Sequence, residues 1–291
     1  MELFGMDLGV FGGLMVMACW GISDFIQSLM IRQLGTAKTM LVRNILTLGV
    51  AGLFGIYLIF SQNLRFDADA VLIISCSSFA YVLGYYLYMR GCEVGNLTLV
   101  SPIASTYSLV TIFFSIIFLQ EKLSPLTWIA VTIIFIGIVM TSGNIFRMLQ
   151  CGARGFHQAI FAMVGFGVAF FILGFSAKSL DLINTFFYSA LTQAIFFISL
   201  ALIRNGKLAK GDITQRRMLI FFSNSLLVNA GWVFYIFASK VGDLSLVTPI
   251  SSVYSGVTVL LAIVIYREVT TIGQKFGIGA VLVGVFLLSY K

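Results

Sequence analysis

Apolar residues fall in long unbroken stretches along this chain, and the polar residues are gathered between them. A membrane-spanning helix needs about 20 mostly apolar residues. Ten such runs follow one another, at roughly 9–31, 39–60, 70–90, 97–119, 125–145, 156–176, 183–203, 217–238, 245–266 and 272–290. The runs are continuous rather than alternating, which excludes a β-barrel. Their connections are short and carry most of the charge; only Arg204–Arg217 is longer, and no soluble domain fits anywhere. The pattern predicts an all-α integral membrane protein with ten transmembrane helices.

The pattern also repeats. Val94–Glu121 reads VGNLTLVSPIASTYSLVTIFFSIIFLQE, and Val241–Glu268, 147 positions on, reads VGDLSLVTPISSVYSGVTVLLAIVIYRE, with 14 of 28 positions identical and no gap. Upstream, Gly84-Tyr85-Tyr86-Leu87-Tyr88 lies over Gly231-Trp232-Val233-Phe234-Tyr235, and downstream Gly137 lies over Gly284. Near the start the offset is 146, which sets Gly21 on Gly167 and Phe25-Ile26 on Phe171-Ile172. A repeat of this length is a duplicated structural unit, here 1–146 and 147–291. Five crossings per unit is an odd number, so the second unit runs through the membrane in the opposite sense. The expected architecture is two inverted five-helix repeats about an axis in the membrane plane, an arrangement typical of secondary transporters.

Composition agrees. Hydrophobic residues make up 59% of the chain and charged ones 10%, with mean hydropathy +1.03, against about 25% charge in a soluble domain. The net charge of +7 is therefore read loop by loop and not as a nucleic-acid footprint. Thirteen of the 18 lysines and arginines fall on the side away from the termini. The positive-inside rule places that side in the cytoplasm and both termini outside. The opening Met1-Glu2-Leu3-Phe4 has no basic n-region, so no cleaved leader is expected. One histidine and four unpaired-looking cysteines leave no ligand set for a metal, and no GxxxxGK[ST] loop is present to hold a nucleotide. No cofactor is expected.

Candidate chemistry is sparse and therefore conspicuous. Asp24 is the only acid well inside a predicted helix. A carboxylate there costs about 2.5–3.5 kcal/mol on insertion scales, so it must face a cavity or a partner. It is either a proton or cation site for which solute competes, or an interfacial acid paired with Arg32 or Lys38. The second copy has Phe170 in its place. Tyr81, Tyr85 and Tyr88 share one helical face by their spacing, Trp232 and Tyr235 repeat that face, and Tyr107 and Tyr254 form a further pair. Such rings either form a cavity wall that suits a flat or cationic solute or serve as helix-packing and interface anchors. Pro102 and Pro249 lie early in their helices among hydroxyls, and are either hinges or helix starts that tolerate proline. Glu121 and Glu268 close helices against the macrodipole and are either gate residues or solvated loop ends. Asn224, Asn229 and Gln193 are neutral polar groups at membrane depth that glue helices or bind solute. The basic loop Arg204–Arg217 is expected to meet anionic lipid headgroups.

Trp20-Gly21 in the first helix, Ser101-Pro102 and Thr248-Pro249, and the closing Leu119-Gln120-Glu121 and Tyr266-Arg267-Glu268 resemble the EamA-type transporters of the drug/metabolite transporter superfamily. The family closes that helix with Leu-Gly-Glu; this chain keeps the acid and lacks the glycine both times. The resemblance implies a cavity between the halves, lined by the first, third, fourth, sixth, eighth and ninth helices, and export or exchange of a small metabolite. It also implies cytoplasmic termini, the reverse of the charge count. The expected solute contacts are Trp20, Asp24, Tyr81, Tyr85, Tyr88, Tyr107, Asn229, Trp232, Tyr235 and Tyr254, with Pro102 and Pro249 as hinges and Glu121 and Glu268 as gates. The expected function is secondary-active or facilitative transport of an amino acid, sugar or organic cation by a monomer or homodimer, with proton or cation coupling. A flippase for a phosphorylated or amphipathic lipid is the alternative. An enzyme is not expected, since the clustered acids or histidines it would need are missing.

Overall fold

The computed structural model of the chain describes residues 2–3, 6–94, 97–141, 155–177, 181–209, 211–266 and 271–289. The first half runs α1 (Leu8–Leu34), α2 (Thr36–Phe60), α3 (Ala68–Val94), α4 (Leu97–Ser105), α5 (Tyr107–Phe118) and α6 (Pro125–Thr141). The second half repeats the order with α7 (Phe156–Ala177), α8 (Leu182–Ile203), α9 (Gln215–Val241), α10 (Leu244–Ser252), α11 (Tyr254–Tyr266) and α12 (Ile272–Ser289). A two-residue antiparallel pair, Glu2–Leu3 with Met6–Asp7, precedes α1. Hydropathy periodicity carries no sign of it. Asp7 then caps α1, its carboxylate accepting from the Gly9 N–H at 2.8 Å.

Among the described residues, seven segments are long and apolar enough to cross a membrane, α10 and α11 counting together as one. Three further apolar helices, Ile103–Phe118, Pro125–Met140 and Lys275–Leu288, are shorter. These seven and three correspond to the ten apolar runs of the sequence. Large apolar side chains such as Leu53, Phe60, Phe113, Ile203, Val264 and Phe286 stand exposed. Apolar surface of that extent needs a covering, and lipid provides it.

Small residues decide which helices meet, because lipid gives apolar side chains no reason to associate and close backbone contact must. Gly84 of α3 lies against Ala162 and Phe166 of α7, and Gly91 against Gly155 and Gln158. Gly9 and Gly12 of α1 lie against Gly242 and Ala238, at the far end of α9. Gly137 of α6 meets Gly277 and Val281 of α12, while Gly284 meets Ala130 and Ile134. In each seam one chain ascends as the other descends, so the paired helices are antiparallel.

The fourth apolar run of each half is broken at equivalent residues, Thr106 (φ −72°, ψ 6°) and Val253 (φ −66°, ψ −7°). Pro102 and Pro249, read from the sequence as either hinges or helix starts, lie four residues before these breaks; the helix continues through Pro249 and ends at Ser252. Hydroxyls account for the breaks. Thr106 Oγ1 donates to the Ile103 carbonyl at 2.7 Å, Ser251 Oγ to the Thr248 carbonyl at 3.0 Å and Ser252 Oγ to the Pro249 carbonyl at 2.7 Å. These carbonyls, satisfied by side chains, no longer need the next turn of backbone. The backbone of Pro102 lies within α4, and its side chain is outside what the structure describes.

Each half also clasps a loop of the other. Lys38 Nζ at the start of α2 pairs with Asp212 Oδ2 at 2.8 Å, in the loop between α8 and α9. At the equivalent position 146 residues on, Asn184 donates to the Asn63 carbonyl at 2.9 Å and accepts from the Arg65 N–H at 3.1 Å, in the loop between α2 and α3. The Lys38 hydrogen bond, helped by the Ala209 N–H, holds the Asp212 carboxyl below the usual carboxylate range. A depressed value means that the clasp is complete above the free-carboxylate pKa, about 3.9, and is lost as pH falls through the lowered one. Asp212→Asn at neutral pH is therefore expected to speed proteolysis of the 204–214 loop, and the unsubstituted protein should reach that rate only in strong acid.

Candidate functional site

Gly35 (φ 78°) turns the chain between α1 and α2, a conformation that costs a glycine little. Asp24 stands 11 residues before that turn and Arg43 eight after it. At about 1.5 Å rise per residue the two charges reach similar depth. Tyr85 and Tyr88 of α3 meet them there. The Tyr85 hydroxyl donates to Asp24 Oδ1 at 3.4 Å and the Tyr88 hydroxyl to Oδ2 at 3.3 Å. Arg43 Nη1 donates to Gln27 Oε1 at 2.7 Å and to the Tyr85 hydroxyl at 3.1 Å. Its guanidinium lies 4.7 Å above the Tyr85 ring and 5.2 Å from that of Phe197. Arg43 is only 2% exposed, and its Nε has no hydrogen-bond partner among the described residues.

These groups form one wall of a cavity of about 30 Å³, enough for a water molecule or two. Trp20, Ser23 and Asp24 come from α1, Arg43 from α2, and Tyr81 and Tyr85 from α3; the opposite wall is Phe166 and Phe170 of α7, Val228 of α9 and Tyr254 of α11. Ring centroids of Trp20 and Phe170 are 5.3 Å apart, and those of Trp20 and Tyr254 6.3 Å apart. The Trp20 indole donates to the Val228 carbonyl at 3.4 Å and rests on Gly231, where an added Cβ would fall 2.2 Å from Nε1. Both charges thus come from the first half, and the second half faces them with rings.

Five of the expected solute contacts, Trp20, Asp24, Tyr81, Tyr85 and Tyr254, line this cavity. Tyr88 reaches it through Asp24. Trp232 stands behind the wall, 5.1 Å from Trp20 and 4.9 Å from Tyr81. Three others make helix contacts, Asn229 through its amide nitrogen alone, since its Oδ1 has no partner among the described residues. The Tyr235 hydroxyl donates to the Phe170 carbonyl at 3.0 Å, Tyr107 shares a hydrogen bond with Ser251 at 3.2 Å, and the Asn229 amide donates to the Ser225 carbonyl at 2.7 Å. Of the partners considered for Asp24, Lys38 is bonded to Asp212; a cation lining the same cavity is Arg43, one of the thirteen basic residues counted for orientation. Phe166 and Phe170 were within reach of the sequence, being the repeat-mates of Trp20 and Asp24.

Glu121 finds an unexpected partner. Its carboxylate accepts from the N–H groups of Leu244 and Ser245 at 3.1 and 3.0 Å, capping α10 of the other half. The acid that follows the unfavourable end of α5 thereby serves the favourable end of another helix. Glu121→Ala is expected to cost about 1 kcal/mol, a fall of roughly 2–4 °C in Tm readable in detergent, with Glu121→Gln intermediate. Glu268, the second expected gate, lies outside the described residues, as do the junction 146/147 and the other residues of the Tyr266–Glu268 motif beyond Tyr266.

Apolar spans, small-residue seams and a small ring-lined cavity holding an acid and a base between related halves define a multi-pass membrane protein of transporter type. The comparisons give it a family. The model of the EamA-like transporter family matches twice, over residues 7–143 and 153–290, so the chain belongs to that family, within the drug/metabolite transporter superfamily. An uncharacterised protein of Methanocaldococcus jannaschii is 33% identical over 78 residues, 26% of this chain and 57% of that protein. One solved crystal structure superposes with a TM-score of 0.74 at 15% identity, covering 96% of this chain and 95% of the other. That likeness is one of fold.

Proposed function

We propose that the chain is a secondary-active or facilitative transporter that carries a small solute across the cell membrane by alternating access, through ten crossings arranged as two inverted repeats. The observation that carries this reading is a buried, incompletely satisfied acid and base lining a small cavity where the two halves meet. Inversion is supported by equivalent elements that run antiparallel to each other. Gly137 and Gly284 occupy equivalent positions in α6 and α12 and take part in one antiparallel seam. Repeats related this way can tilt about the shared cavity and open it to one side at a time. Asp24 is the coupling site for a proton or cation. The side richer in lysine and arginine faces the cytoplasm, and the termini face outward.

Lipid translocation has one observation in its favour. A notch of about 340 Å³ on the basic side is lined by Lys38, Arg90 and Arg204 together with Tyr86 and Glu93. Reconstitution into proteoliposomes separates the readings. Flux of a water-soluble metabolite without ATP supports the first, and movement of a fluorescent phospholipid without such flux supports the second. A reporter fused to the C-terminus tests the orientation.

A further inference from the structure

We infer that the central cavity takes a small zwitterion, its ammonium group on Asp24 and its carboxylate on Arg43. The inference rests on the transport reading only in routing the solute through this cavity. Tyr85 shows what the site recognises. Its hydroxyl donates a hydrogen to Asp24 and offers its lone pair to Arg43, at 3.4 and 3.1 Å. A zwitterion presents the same pair of functions in stronger form: an ammonium that donates, and a carboxylate that accepts. The hydroxyl is a placeholder for both ends of such a molecule.

Neither charge is fully satisfied without it. The two tyrosine hydroxyls reach Asp24 at 3.3 and 3.4 Å, long for O–H donors to a carboxylate. Arg43 is buried, with one guanidinium nitrogen unpartnered among the described residues, and a guanidinium prefers a carboxylate across two of its N–H groups. The rings of Trp20, Tyr81 and Phe170 line the same cavity, and their faces suit a cationic nitrogen.

Charge balance narrows the class. The site carries one negative and one positive group, so a zwitterion enters without adding net charge to a low-dielectric interior. A simple cation meets Arg43, and a simple anion meets Asp24, with like charges close together. Because the present cavity holds little more than a water molecule, solute entry displaces the Tyr85 hydroxyl and parts the rings.

The test uses the purified full chain in detergent, with tryptophan fluorescence, to which Trp20 and Trp232 contribute, and calorimetry as readouts. The probes are the twenty amino acids and glycine betaine, each binder being compared with its amide or ester, which lacks the carboxylate, and with its acid lacking the nitrogen. The expected result is that at least one zwitterion binds, and that each singly charged analogue binds about tenfold or more weakly. In Arg43→Gln the preference over the amide or ester should vanish while the preference over the nitrogen-free acid remains; Asp24→Asn should do the reverse. A structural role would not produce that crossed pattern. If either variant fails to fold, the analogue series on the unsubstituted protein decides. Binding of none of these zwitterions, or equal binding of a singly charged analogue, overturns the proposal. Zwitterion binding without flux upholds this site and removes the transport reading. Flux of another solute with no zwitterion bound leaves transport standing and removes this inference.

Discussion

Asp24→Asn is expected to lower solute flux in proteoliposomes about a hundredfold while the protein still unfolds cooperatively. The side chains are nearly isosteric, and the amide oxygen still accepts from one of the two tyrosines that now reach Asp24. What disappears is the negative charge facing Arg43. Leaving one member of a buried pair without its counter-charge costs about 3–5 kcal/mol in general. Here Gln27 and Tyr85 retain Arg43 and soften the cost to the fold. The solute has no such substitute, and every 1.4 kcal/mol it loses is a factor of ten. Any pH dependence of flux that arises at this carboxyl should vanish with it. Flux within twofold of the parent, with an unchanged pH profile, would remove Asp24 from the mechanism.

The second large effect is structural. Gly21→Val and Gly167→Val should each lower Tm sharply and reduce the yield of folded protein. An added Cβ at Gly167 falls 2.3 Å from the Val110 Cβ and 2.9 Å from the Tyr107 carbonyl oxygen; at Gly21 it falls 2.5 Å from the Val257 Cβ and 2.8 Å from the Tyr254 carbonyl oxygen. The obstructing atoms are backbone and branch points, which cannot swing aside as a side-chain tip would. Even alanine overpacks such a seam, at about 1–3 kcal/mol. Each seam also carries a hydrogen bond, Thr111 Oγ1 to the Gly167 carbonyl and Thr258 Oγ1 to the Gly21 carbonyl, both 3.0 Å. Prying a seam open breaks it. A thermal-melt series over Ala and Val at both positions measures this; a change of a degree or less for valine would contradict it.

The duplicated plan was legible because apolar runs and shared letters are local facts. The tyrosine face of α3 was legible for the same reason: three rings at helical spacing must point one way. Arg43 was not. It lies eight residues into α2, where a basic residue reads as interfacial. Its burial depends on which face of α2 meets α1 and α3, and the equivalent place in the second half, Ser189, gives no warning. The partner of Glu121 was hidden in the same way, lying 123 residues off. The break in the fourth run was announced by proline but placed by hydroxyls, whose effect depends on which carbonyls they reach. Tyr107 and Tyr235 carry the right chemistry for a solute wall, yet their hydroxyls are taken by Ser251 and the Phe170 carbonyl, whereas Asn229 is bonded to Ser225 through its amide nitrogen alone. Sequence shows that such a group needs a partner, and only packing shows whether that partner is already within the protein.

Phe170 standing where Asp24 would recur has a bearing on how cargo travels. On the proposed transport reading, with both ionic anchors in one lobe, a passenger would not be handed from lobe to lobe at mid-journey. It would ride moored to the N-terminal half while the aromatic lobe swings past it like a shutter. A protein assembled from two C-terminal halves would keep the shutter and lose the mooring.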